Sequence, residues 1–241
     1  MKLYKLTDAK NQTKNNCQWV DNVTHKVSGK GKLCSEGWIH VYEHPLLAVL
    51  HNPIHGNYDP KTMHLWECKT TDKKPKRDGQ LKLGVRNLTT IKQIPLPAIT
   101  LTQKIAYGIL CAKKVYHEKS WNKWADNWLS GKDRTEAAAW AAESAAWSAV
   151  SPASAAAWAA AWAAAWAAAS AEWAVSTAAR AADNVVWAAA WAAESAERLS
   201  ARAAKAVMAS EYAERLSANA ARAAEWGINL IEIAEKAMLY S

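Results

Sequence analysis

Seven histidines and four cysteines are the residues of this 241-residue chain whose types could hold a metal or pass a proton. His40 and His44, and again His51 and His55, stand four apart, a spacing that can put two imidazoles on one helix face and so suit zinc. Pro45 and Pro53 interrupt both contexts, and no carboxylate supplies an obvious third ligand. Neither a metal nor a cofactor is therefore expected. Cys17, Cys34, Cys68 and Cys111 contain no CxxC pair, which sets aside a zinc ribbon or a redox motif and leaves four ordinary thiols. A second set of residues suits an anion. Trp38, His40 and His44 cluster in a Gly-aromatic segment, where an indole and an imidazole could hold a base and a phosphate. Arg77 and Arg86 flank or follow the Asp78-Gly79 turn and complete the candidate ligand-binding set.

The elements that must position these groups read as follows. "KLYKLTD" and "MHLWECKT" alternate and predict strands, "KVSGKGKLCSEGW" is turn-rich, and "HPLLAVLHNPIHG" predicts a short helix broken at Pro53. "LKLGVRNLTTIKQIPLP" gives one or two further strands before Pro95 and Pro97 stop them. "TLTQKIAYGILCAKKVY" and "SWNKWADNWLSGKDR" have helical spacing, the second with Trp121, Trp124 and Trp128 on one face as core. The fold class is α+β: a basic α+β domain over 1–99, connecting helices over 100–134 and an Ala/Trp-rich helical oligomerisation region over 135–241. Charge follows this division. Residues 1–134 carry 23 Lys/Arg against 11 Asp/Glu, while 135–241 carry 7 against 11. The basic part could attract an anionic ligand, nucleic acid or an acidic protein face.

"LCSEGWIHVYEHPLLAVLHNPIH", followed by "LWEC", "RDGQLKLG", "LTTIKQIPLP" and "WADNWLSGKDR", resembles a family of bacteriophage proteins. In them a short domain of this kind precedes an Ala-rich, Trp- or Arg-punctuated tail. The resemblance covers most of residues 1–134 and implies a phage or prophage origin and an accessory role. A fainter one is to ADP-ribosyltransferase-like folds, with an early strand, a Gly-aromatic segment and a helix. It implies Glu67 as the candidate catalytic glutamate, although such enzymes usually place a His in the first strand, where this chain has Tyr4-Lys5.

From Thr135 the chain is built for helix, with no glycine between Gly131 and Gly227. Trp140, Trp147, Trp158, Trp162, Trp166, Trp173, Trp187 and Trp191, at about 100° per residue, fall within an arc of about 100°, the width of one buried stripe. Alanine faces let backbones approach and provide a shallow groove for such a ridge. Apolar surface of that extent must be covered, either by partner copies along a continuous rod or by a chain that folds back as a helical hairpin or bundle. Pro152 and Asp183-Asn184 are the candidate breaks. "GINLIEIAEKAML" is expected to pack onto the bundle or the N-terminal domain.

Residues 153–171 are uncharged but lack Leu and Ile, so no membrane span is expected. Met1 leads into "KLYKLTD" without an apolar stretch, so no signal peptide is expected. The tail is acidic and lacks Lys/Arg between Arg134 and Arg180, which disfavours nucleic acid stacked on the tryptophans. The reading is a non-enzymatic phage accessory protein in the cytoplasm of the infected host. It self-associates through its Ala/Trp helices and binds a small nucleotide-like anion or a host protein, with counter-defence as its role. An ADP-ribosyltransferase-like enzyme and a structural assembly protein are the alternatives.

Overall fold

The structure is a computed structural model that describes residues 1–147, 154, 156–169 and 228–241, with the backbone alone at Pro53, Ile54 and Trp147. It is α+β. In chain order the strands are β1 (Lys2–Thr7), β2 (Gln12–Thr13), β3 (Cys17–Gln18), β4 (Thr24–Lys26), β5 (Ile39–Val41), β6 (His64–Lys69), β7 (Lys76–Asp78), β8 (Lys82–Val85) and β9 (Asn87–Ile94). Two short helices, α1 (Pro45–Leu50) and α2 (Asn52–His55), stand between β5 and β6. The helix break thus falls at His51, and Pro53 sits in the first turn of α2, where its missing N–H costs nothing.

An antiparallel sheet of order β1-β6-β9-β4, a three-stranded sheet of order β5-β8-β7 and a β2-β3 ribbon make up the strand layer. Tyr4 and Tyr42 exchange two backbone hydrogen bonds of 2.8 and 2.9 Å, which join the outer edge of β1 to the chain leaving β5. At the other side Arg86 links β8 to β9 directly, and its carbonyl accepts from Val27 N at 2.9 Å. The two sheets therefore curl toward each other around one core of Leu3, Trp19, Ile39, Val41, Trp66, Leu83, Val85 and Leu88.

The chain divides into two compact units: Met1–Gln103 with Glu225–Ser241, and Lys104–Ala224. The last helix, α7 (Leu230–Ala237), belongs with the N-terminal unit. Asn229 caps it, and its apolar face buries Leu230, Ile233, Ala234 and Ala237 beside α1. The Leu230 N–H donates to Gln80 Oε1 at 2.8 Å, and Gln103 Nε2 donates to the Met238 carbonyl at 2.9 Å.

The second unit contains α3 (Leu101–Val115) beyond its first turn, α4 (Lys119–Leu129), α5 (Glu136–Trp147) and a helix over 156–169, α6. Glu118 caps α4 by accepting from Trp121 N at 2.8 Å, and Trp121, Trp124 and Trp128 are all buried. Trp140 lies 6.3 Å from Trp162 and 6.5 Å from Trp166, centroid to centroid. One straight helix would separate residues 140 and 166 by about 39 Å. Helices α5 and α6 thus pack on each other.

Burial also differs from the expected stripe. Ala156, Ala157, Ala160, Ala161, Ala163, Ala164 and Ala165 are fully buried, whereas Trp158 and Trp162 are half-buried and Trp166 is 37% exposed. The alanine surface is the packed one because small side chains let backbones close in. The indoles lie along the seams, where their N–H groups find acceptors. Trp140 Nε1 donates to Glu136 at 2.9 Å, and Trp158 Nε1 donates to Glu143. Pro152, Asp183-Asn184, Trp173, Trp187, Trp191 and the Trp147 side chain lie outside the described residues. Among the described residues no helix is long and apolar enough to cross a membrane.

One close approach is decisive for the segment that carries Trp38 and His40. A Cβ on Gly37 would sit 2.0 Å from the Lys30 carbonyl oxygen, and the Gly37 carbonyl accepts from Gly29 N at 2.8 Å. Gly37→Ala is expected to destabilise the N-terminal unit by about 2–4 kcal/mol through backbone displacement, read as a lower urea midpoint with an unchanged slope.

Candidate functional site

The chemistry of β1 turns on phase. Leu3, Lys5 and Thr7 share one face of the strand. All three are buried, so Lys5 occupies a position at which the pattern calls for an apolar residue. The residue is only 7% exposed. Nζ donates to the His40 carbonyl at 3.1 Å and stands 4.8 Å from the centroid of the Trp19 ring. No carboxylate pairs with it among the described residues. Burial pulls its pKa from 10.5 down to about 8, against the opposing influence of the Cys68 and Cys17 thiols.

Lys5 forms part of the wall of a cleft of about 470 Å³, within the range of small-molecule sites. Trp19, Trp38, Tyr42 and Tyr58 give it aromatic surface, Lys14 and Lys26 give it positive charge, and Cys17, His25, Cys34, His40 and His55 give it thiols and imidazoles. Glu36 is the one acid on its lining.

Two of the five sequence-predicted ligand residues meet here. Trp38 donates through Nε1 to the Gly31 carbonyl at 3.3 Å and carries Lys76 Nζ 5.7 Å from its ring centroid. His40 Nε2 donates to the Leu33 carbonyl at 2.5 Å; burial lowers its pKa, which that hydrogen bond opposes. The other three are engaged elsewhere. His44 caps α1 by accepting from Leu46 N at 3.3 Å and faces Glu235 at 3.6 Å. Arg77 holds Glu43 through two hydrogen bonds of 2.8 and 2.9 Å. Arg86 donates from Nε and Nη2 to Asp72 at 3.0 and 2.5 Å, and this guanidinium holds the Asp72 carboxyl far below the usual range.

The histidine pairs separate in the same way. His40 lies on β5 and His44 caps a helix, so the first pair shares no helix face. His51 and His55 do meet, with centroids 5.7 Å apart, but inside an aromatic cluster with Tyr42, whose hydroxyl lies 3.0 Å from His55 Nδ1. Burial lowers the His51 pKa to about 4. Among the described residues no three potential ligands converge on a metal position. Glu67 pairs with Lys2 at 3.1 Å and is absent from the cleft lining.

No family, curated protein or solved structure matches the chain. The site must be read from its own chemistry.

Sequence reasoning missed Lys5, Cys17 and His25. Lys5 carried a usable signal, since it keeps phase with Leu3 in an alternating strand. Cys17 and His25 carried none, because the Asn- and Lys-rich stretch around them shows no periodicity.

Holding an uncompensated ammonium out of water costs roughly 3 kcal/mol at neutral pH. A lysine whose folded pKa is lowered binds fewer protons folded than unfolded between about pH 8 and 10.5, so stability rises with pH across that window. Lys5→Met is therefore expected to stabilise the protein by about 1–3 kcal/mol at pH 7. The gain should shrink as pH rises from 8 toward 10.5, as measured by urea unfolding at each pH.

Proposed function

We propose that the N-terminal unit is a receptor for a small anion bearing a planar ring, of nucleotide type, and that the Ala/Trp helices assemble several copies of it. One observation carries this reading: a buried ammonium with no carboxylate partner among the described residues faces an aromatic, predominantly basic cleft. A phosphate or carboxylate placed there would supply the missing counter-charge, and a base would lie against an indole or phenol face. Binding energy then includes relief of a cost that the empty fold carries. An accessory role in the cytoplasm of an infected host is part of the same proposal. Taking up a nucleotide signal there would blunt a defence response.

ADP is the first probe. Isothermal titration is expected to show binding that weakens at least tenfold in Lys5→Met and less than threefold in Arg86→Ala, whose guanidinium is held by Asp72. No heat with ADP, AMP or pyrophosphate would overturn the receptor reading.

Assembly is supported by the exposed Trp166 beside a fully buried alanine surface. Light scattering is expected to give a mass at a multiple of 26.4 kDa. A clean monomer would remove the assembly half of the proposal and leave the cleft untouched.

A further inference from the structure

The sharpest unexplained arrangement outside the ligand contacts is a thiol set against an oriented imidazole. Cys17 Sγ lies 3.8 Å from both ring nitrogens of His25. His25 Nε2 stands 2.8 Å from the Gln18 carbonyl, and a carbonyl only accepts, so Nε2 carries the proton. In the neutral ring Nδ1 is then the nitrogen with the free lone pair. The ring is fixed by packing edge-to-face on Trp19 at 4.5 Å between centroids. Trp19 is itself fixed by its Nε1 donating to Thr13 Oγ1 at 3.0 Å. The same indole carries Lys5 Nζ near its ring. One buried tryptophan thus positions a base and a cation, and all of these groups line one cleft with the thiol.

Nucleophile, base and a group orienting the base are the three parts of an activated thiol; the sulfur, equidistant from both nitrogens, comes into line with the Nδ1 lone pair by a turn of the Cys17 side chain. Lys5 supplies what a bare thiol and imidazole lack, a fixed positive charge that selects the reagent. The other thiols differ. Cys68 and Cys111 are buried, and burial pushes Cys68 up to about 12 and Cys111 higher still. Cys34 is exposed and meets the Lys82 ammonium at 3.2 Å rather than a base.

We propose that Cys17 is a nucleophile, that His25 is its general base, and that the cleft takes a small acyl group on an anionic carrier held by Lys5. The Cys17 thiol proton passes to His25 Nδ1 as sulfur attacks the acyl carbonyl. A carbon–sulfur bond forms, the bond to the carrier's oxygen or sulfur breaks, and the leaving group takes the proton from Nδ1. The products are S-acyl Cys17 and the free alcohol or thiol of the carrier. The anionic half of this proposal rests on the receptor reading above; the thiol half stands on its own geometry.

The test is alkylation of the full-length protein with iodoacetate and its neutral counterpart iodoacetamide, followed per cysteine by mass spectrometry. Cys17 is expected to react at least tenfold faster than Cys34 with either reagent. Its iodoacetate-to-iodoacetamide rate ratio is expected to exceed that of glutathione at least threefold. His25→Ala should slow Cys17 about tenfold with both reagents, and added imidazole should restore part of the rate, which a merely misfolded variant would not show. Lys5→Met should bring the iodoacetate-to-iodoacetamide ratio of Cys17 down to that of glutathione. p-Nitrophenyl acetate should leave an acetyl group on Cys17 with release of one equivalent of p-nitrophenolate. Cys17 no faster than Cys34, a rate indifferent to His25, or acetyl transfer that bypasses Cys17 overturns the nucleophile. A fast Cys17 without iodoacetate preference overturns the anionic substrate class and, with it, the anion receptor.

Discussion

The pair of backbone hydrogen bonds between Tyr4 and Tyr42 is the contact on which the N-terminal unit depends. Without it the outer edge of β1 would be wholly unpaired, and the two sheets would be joined only on the side where Arg86 links β8 to β9. With it, the strand that carries Lys5 lies beside the one that carries His40, which is why Nζ reaches the His40 carbonyl. A charge is tolerated there because a carbonyl dipole and an indole face stand in for part of its hydration. Hydrophobic closure and the buried cation thus arise from a single backbone join.

Local signals in the sequence were readable where they were strong. Alternation marks β1 and β6, the Asp-Gly pair marks the turn in which the Leu81 N–H donates to the Asp78 carbonyl at 2.9 Å, and the three-tryptophan face of α4 is core as its spacing demands. The segment from Asn11 to Lys26 was opaque. Asn11, Asn15, Asn16 and Asn22 all adopt positive φ, a conformation that asparagine tolerates among non-glycine residues, so the chain turns repeatedly there without a glycine to announce it. The ion pairs were opaque for a different reason. Arg77 finds Glu43 34 residues away, and Arg86 finds Asp72 14 residues away. Only the folded sheet decides which carboxylates Arg77 and Arg86 find.

The alanine and tryptophan pattern shows how a correct periodicity can mislead about which residues are buried. The spacing of Trp158, Trp162 and Trp166 does put neighbouring indoles in contact, with centroids 5.9 and 5.4 Å apart. Size then reverses the roles. Helices that approach closely enough to exclude water do so over alanine, where van der Waals contact is dense and no rotamer entropy is lost. An indole in that gap would force the backbones apart.

The return of α7 to the N-terminal unit makes segment 104–224 an excursion with both ends held by the same body. In topological terms it is a loop, although its content is helical wherever its Ala/Trp stretch is described. The entropy of closing a loop grows only logarithmically with its length, about 0.6 kcal/mol for each doubling. Gain or loss of whole alanine-tryptophan turns thus barely changes the free energy of tethering and leaves the docking residues Gln80 and Gln103 unmoved.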